Sequence, residues 1–224
     1  QAGYSNTSGN VQAFGWQALY SNTTGSLNTA VGQQSLYSNT TASNNTAVGY
    51  QAGYSNTTGA YNTYIGGRGP GYNATTGSQN TFIGDYSGRE VTTGGLNTFV
   101  GQGSGYLVTT GGKNTILGVY SGNQGGLDIR TSSNYVVLSD GDGNPREVVD
   151  GSGNIFWKGS GAGVFTLAGI TAGTSDAKGI DNSDGARLLS SRGSTASREH
   201  YIFYNPNGDV GSIDTSGTST SYTT

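Results

Sequence analysis

The sequence predicts an all-β chain: a stacked parallel β-roll or β-helix of 17-residue rungs, then a β-meander and hairpin module. Three observations predict this. The core Asn-Thr-x-aliphatic-Gly ends at Gly32, Gly49, Gly66, Gly84, Gly101 and Gly118, with a degenerate copy ending at Gly15, so the spacings are 17, 17, 17, 18, 17 and 17 residues. A period this short and regular is the signature of a solenoid whose units bury their apolar faces only by stacking. The composition agrees: 41 Gly among 224 residues with 32% hydrophobic residues is too little apolar material for one large core, while Tyr and β-branched residues are too abundant for a disordered chain. Finally, no helix of note is predicted in the C-terminal half.

The repeat array, residues 1–124, comes first. Aligned on the glycine, the residue before it is Phe14, Val31, Val48, Ile65, Ile83, Val100 and Leu117. Being always bulky and apolar, this position is expected to face inward. The position three after the glycine is small (Ala18, Ser35, Ala52, Gly69, Ser87, Ser104 and Ser121) and suits a wall where backbone approaches backbone. Two before the glycine the series runs Ala13, Ala30, Ala47, then Tyr64, Phe82, Phe99 and Ile116. Strand alternation then places Tyr64, Phe82, Phe99 and Ile116 on the outer face, as a ridge expected to form a subunit interface. Asn28, Asn45, Asn62, Asn80, Asn97 and Asn114 are expected to stack as an amide ladder. Segments such as Ser21-Asn22-Thr23-Thr24-Gly25 carry turn chemistry. At about 4.8 Å per rung, seven rungs span roughly 34 Å.

The C-terminal half, residues 125–224, loses the period. Strands are expected over 134–139, 146–149 and 155–158, with turns at Asp140 to Pro145 and Asp150 to Asn154. A Gly/Ala/Ser/Thr-rich stretch over 159–179 reads as a segment that winds around partner chains or links two modules. A hairpin follows, His200 to Tyr204 and Val210 to Ile213 around Asn205-Pro-Asn-Gly-Asp209.

The repeats, as in Asn45-Thr-Ala-Val-Gly-Tyr-Gln-Ala-Gly-Tyr-Ser-Asn-Thr-Thr-Gly59, resemble those of bacteriophage tail fibres and related virion proteins. They are similar, more distantly, to the head repeats of trimeric autotransporter adhesins, whose unit is shorter. Val136-Val-Leu-Ser-Asp-Gly-Asp-Gly-Asn-Pro-Arg146 and Phe203-Tyr-Asn-Pro-Asn-Gly-Asp-Val-Gly-Ser-Ile-Asp-Thr215 resemble tail-fibre and tailspike segments preceding a self-cleaving C-terminal chaperone. The resemblance implies an intertwined homotrimeric fibre, located in the virion tail outside the cell. Its partners would be a host cell-surface glycan or protein and other virion tail proteins. Its role would be structural and host-attaching, without enzymatic activity or a cofactor. A polysaccharide-depolymerising tailspike and the head of a bacterial trimeric adhesin are the alternatives. The chain opens within a repeat, as a piece of a longer protein would, and its ending at Thr224 matches a product already freed of its chaperone.

Few residues suggest chemistry. Cys is absent, so neither disulfides nor thiolates contribute. The formal net charge of -3, with scattered Lys and Arg, provides no footprint for nucleic acid. No apolar run reaches the roughly 18 residues of a membrane span. Asp140, Asp142 and Asn144 have the alternate spacing of calcium ligands, but Gly151 stands where the loop needs its bidentate Glu, so a β-turn is the expected reading. His200 is the only histidine, and Asp176, Asp181 and Asp184 sit in turn-like sequence with no spacing that singles out a catalytic couple. Trp16, Tyr20, Tyr37 and Tyr54 are the candidate glycan-stacking residues, the tyrosines forming a ladder five residues after each glycine. Asn6, Asn22, Asn39, Asn44, Asn56 and Asn73 begin glycosylation sequons but read more simply as turn asparagines.

Overall fold

The computed structural model describes residues 1–7, 10–157, 198–205, 208–216 and 219–223. Its first compact unit ends at Thr166 and its second begins at Leu167. Among the described residues there is no helix. Seven short strands, β1 (Val11–Phe14), β2 (Asn28–Val31), β3 (Thr46–Tyr50), β4 (Thr63–Arg68), β5 (Thr81–Ile83), β6 (Thr98–Val100) and β7 (Thr115–Leu117), pair in parallel and in register, each with the next. The chain is therefore a parallel β-solenoid with one strand per turn. The rest of each turn is tied to its neighbour by backbone bonds such as Leu19 N–H to Ser35 O at 3.0 Å, Leu36 N–H to Ala52 O at 2.9 Å and Gly88 N–H to Ser104 O at 2.8 Å.

The longer rung, Gly66 to Gly84, absorbs its extra residue as a bulge, since Val48 faces Ile65 but Tyr50 faces Arg68. One consequence is that Pro70, not Gly69, accepts the bond from Gly53 N–H at 2.9 Å that Ala52 accepts from Leu36 one rung earlier. The corner glycine of every core has φ between 109° and 137° except Gly66, a region open to glycine alone. A Cβ on Gly15 would stand 2.6 Å from the carbonyl carbon of Gly32 in the next rung.

The face assignment of the strands is the reverse of the one expected. Ala30, Ala47, Tyr64, Phe82, Phe99 and Ile116 are 0% exposed and form the core, with Leu19, Leu36, Val91 and Val108. Tyr64, Phe82, Phe99 and Ile116 are thus not an interface ridge, because nothing of them is left for a partner to touch. The residue before the glycine faces outward, as in Phe14 at 65%, Leu117 at 42% and Val100 at 36% exposed. Asn sets the parity. Asn28 is fully buried and so is Ala30 two residues on, which leaves Thr29 and Val31 outside.

The Asn column does form a ladder. Each Oδ1 accepts the backbone N–H of the Asn one rung later, as from Asn45 to Asn28 and from Asn62 to Asn45 at 2.9 Å. Each Nδ2 donates to a turn carbonyl, as from Asn62 to Gly77 at 2.9 Å. A second ladder lies in the positions read as turn asparagines. Nδ2 of Asn22, Asn39 and Asn56 donates to Oδ1 of Asn6, Asn22 and Asn39 at 2.7, 2.7 and 3.0 Å. Asn22, Asn39 and Asn56 are fully buried, which removes them as glycan acceptors.

The period is stretched after Leu117 but not abandoned. The hairpin β8 (Asn123–Gln124) and β9 (Leu127–Asp128) is inserted, and then β10 (Val136–Ser139) pairs in parallel with β7, Val137 opposite Ile116 and Leu138 opposite Leu117. Tyr135 takes the ladder place, its N–H donating to Asn114 Oδ1 at 2.9 Å. The sheet therefore runs through the boundary expected at residue 124. Strands β11 (Pro145–Val149) and β12 (Ile155–Trp157) continue it antiparallel, near the positions expected for them. In the second unit β13 (Arg198–Asn205), β14 (Gly208–Ser216) and β15 (Ser219–Thr223) form an antiparallel sheet, one strand more than the expected hairpin. His200 belongs to β13. The stretch 159–179, with Asp176, Asp181 and Asp184, lies outside the described residues.

Candidate binding surfaces

The outward face of the strands carries two columns. One is Thr29, Thr46, Thr63, Thr81, Thr98 and Thr115, half-buried; the other is Phe14, Val31, Val48, Ile65, Ile83, Val100, Leu117 and Leu138. Neither column contains a charged residue. Seven rung spacings make this apolar line about 34 Å long. A continuous line of partly or fully exposed apolar side chains on a single chain marks an interaction surface.

The tyrosine ladder is present and longer than expected. Rings of Tyr4, Tyr20, Tyr37, Tyr54 and Tyr72 stack with centroids 5.3, 5.4, 5.0 and 5.0 Å apart and planes within 8°. Arg89 takes the next place, its guanidinium 5.2 Å from the Tyr72 ring and 6.0 Å from that of Tyr106. Because the faces of Tyr20, Tyr37 and Tyr54 lie against one another, these three offer a ligand only edges and hydroxyls. Trp16 is different. It is 57% exposed, and among the described residues no other ring stacks on it.

The Asp-Gly turns are closed on themselves. Asp140 Oδ1 accepts the backbone N–H of Asp142 at 3.0 Å and of Asn144 at 2.9 Å, while Oδ2 meets Asn144 Nδ2 and the Arg146 guanidinium. Asp150 repeats this with Ser152 and Asn154, both at 2.9 Å. The Asn144 backbone N–H chiefly, with Arg146, holds the Asp140 carboxyl below the usual carboxylate range. This is Asx-turn chemistry, as the sequence suggested. No cluster of three metal-ligating side chains occurs among the described residues. A shallow recess lined by Thr109, Asp128, Arg130 and Thr131 holds an ion pair already closed, Arg130 Nη2 to Asp128 Oδ2 at 2.7 Å.

Two buried phenols give the solenoid an alkaline limit. Tyr64 is fully buried, its hydroxyl has no partner among the described residues, and burial pushes its pKa far above the ordinary value. Tyr120, whose hydroxyl donates to Leu127 O at 2.8 Å, is raised for the same reason, with Asp128 adding to it. A phenol whose folded pKa exceeds its unfolded one stabilises the fold fully below about pH 10 and progressively less as pH rises above it. Urea midpoints should therefore fall between about pH 10 and 12, and Tyr64→Phe should flatten that fall. An unchanged pH profile in Tyr64→Phe would refute the assignment.

No family model, curated protein or solved structure matches the chain. The fold and surfaces define it as a parallel β-solenoid repeat protein. Among the described residues no helix is long and apolar enough to cross a membrane.

Proposed function

We propose that this chain is a structural and host-attachment segment of a phage tail fibre that assembles as a homotrimer and performs no catalysis. The observation that carries the reading is the uncharged apolar line from Phe14 to Leu138. Three solenoids packed about a common axis would cover this line in every copy at once. Closed symmetry would satisfy each subunit equally and leave the Tyr ladder on a different side of the rung. The tail-fibre-like repeats and the Val136 to Arg146 segment support the same reading.

Light scattering of the purified chain should give three times the subunit mass. Ile83→Asp combined with Val100→Asp should yield single chains with an unchanged far-ultraviolet spectrum, because both side chains already face out. A single-chain mass for the unsubstituted protein in native buffer would sink the proposal.

A further inference from the structure

The first 67 residues contain no Asp, Glu, Lys, Arg or His; the first ionisable side chain other than tyrosine is Arg68. The surface of the first rungs is therefore built from amides, hydroxyls and aromatic rings. On it, one column runs Trp16, Gln33, Tyr50. Their stacking is fixed by backbone bonds from the following residues: Gln34 N–H to Trp16 O at 2.8 Å, Gln51 N–H to Gln33 O at 2.9 Å, and Gly69 N–H to Tyr50 O at 2.8 Å. Trp16 is 57% and Tyr50 44% exposed, and among the described residues neither ring is stacked on another ring. They stand two rungs apart, about 10 Å.

Beside this column runs a second one of amides in fixed orientation. Gln34 Nε2 donates to Gln17 Oε1 at 3.0 Å, and Gln51 Nε2 donates to Gln34 Oε1 at 2.9 Å. At the next rung the aromatic column ends in charge, with Arg68 Nε 3.5 Å from Asp85 Oδ2. The uncharged wall is thus bounded and three rungs long.

We infer that the wall formed by Trp16, Gln33 and Tyr50 binds a neutral, extended polysaccharide lying parallel to the solenoid axis. This deepens the attachment reading and rests on it. Sugar rings present apolar C–H faces that pack on exposed aromatic faces, and their hydroxyls suit amide donors and acceptors. Two rungs correspond to the length of two sugar units in an extended β-linked chain, so alternate units meet Trp16 and Tyr50 while the unit between passes Gln33. The absence of ionisable acids and bases over these rungs selects the charge class of the ligand: an anionic polymer would lose hydration here and find no cation to replace it.

The test is affinity electrophoresis of the full chain in native gels containing hydroxyethyl cellulose or galactomannan, with alginate as the anionic polymer. Trp16→Gln and Tyr50→Gln are the informative variants, because Gln33 already occupies this column in the intervening rung and the fold accepts it. Retardation by at least one neutral polymer is expected. It should weaken tenfold or more in each variant and remain unchanged in Tyr61→Gln, an exposed aromatic of another column. In a Trp157→Phe background, Trp16 emission should shift to the blue on binding. No retardation by either neutral polymer, retardation of Trp16→Gln and Tyr50→Gln as strong as that of the unsubstituted chain, or equal retardation by alginate would overturn the inference. Light scattering on the same samples separates the two readings. Trimers that ignore both neutral polymers remove the glycan wall and leave the fibre proposal standing; single chains retarded through Trp16 do the reverse.

Discussion

Phe82→Ala will lower the stability of the solenoid by about 3–5 kcal/mol, the cost of a cavity in a core that can relax only partly. Ile83→Ala, one residue on, will change it by about 1 kcal/mol or less, since that side chain faces outward. Urea unfolding at concentrations where light scattering reports single chains checks both, and comparable losses would refute the face assignment. The cavity also has a specific remedy. Gly88 lies under the Phe82 ring, with a Cβ there only 2.6 Å from its Cδ2, while the equivalent places three and four rungs earlier in the Ala-type core are held by Leu36 and Leu19. Leu19, Leu36 and Gly88 share the left-handed conformation, with φ of 50°, 48° and 58°. Adding Gly88→Leu to Phe82→Ala transplants the N-terminal solution, Ala with Leu, into an aromatic rung. It should recover part of the loss, although Gly88→Leu alone should destabilise by colliding with the ring.

That exchange explains what could be read from the sequence. The rung, its period and its Asn ladder were legible because each rests on one residue type repeated at one place. The direction in which each strand faces was not, because both alternating columns, Val31 to Leu117 and Ala30 to Ile116, are apolar. The more uniformly bulky column therefore looked like the interior. The deciding signal was a compensation between two places: where the column turns from Ala to Tyr64, Phe82 and Phe99, the position four or five after the glycine turns from Leu to Gly53, Gly71, Gly88 and Gly105. Volume is exchanged in this way only between residues that touch. Likewise, Trp16 and Tyr50 were separable from the Tyr ladder only once stacking had used the faces of Tyr20, Tyr37 and Tyr54. The sequence shows the recurrence of rings, but the face each ring leaves open depends on how the rungs stack in space.

The two Asn ladders should respond very differently to loss of one member. Asn62 is in the middle of its ladder. Its backbone N–H donates to Asn45 Oδ1, its Nδ2 donates to Gly77 O, and its Oδ1 accepts Asn80 N–H, all at 2.9 Å. Asn62→Ala strips the Asn80 N–H and the Gly77 carbonyl of these partners inside the roll, and at about 1–3 kcal/mol for each such group the loss should be roughly 2–6 kcal/mol. Asn56 ends the other ladder: the next rung has Ala74 in its place, and its own Oδ1 is buried with no partner among the described residues. In Asn56→Ala the Gly59 carbonyl keeps the bond from Asn45 Nδ2 at 2.9 Å, and the unpartnered oxygen merely moves back one rung to Asn39. The count of unsatisfied oxygens stays the same, so the cost should be about 1 kcal/mol or less. Equal losses for Asn56→Ala and Asn62→Ala in urea unfolding would mean that side-chain volume, not hydrogen-bond continuity, is what these asparagines contribute. The unequal result would identify the Asn of the Asn-Thr core as the residue that holds every rung at a fixed height above the last. That fixed spacing is what lines up the outer columns, so the apolar line and the aromatic wall both depend on it.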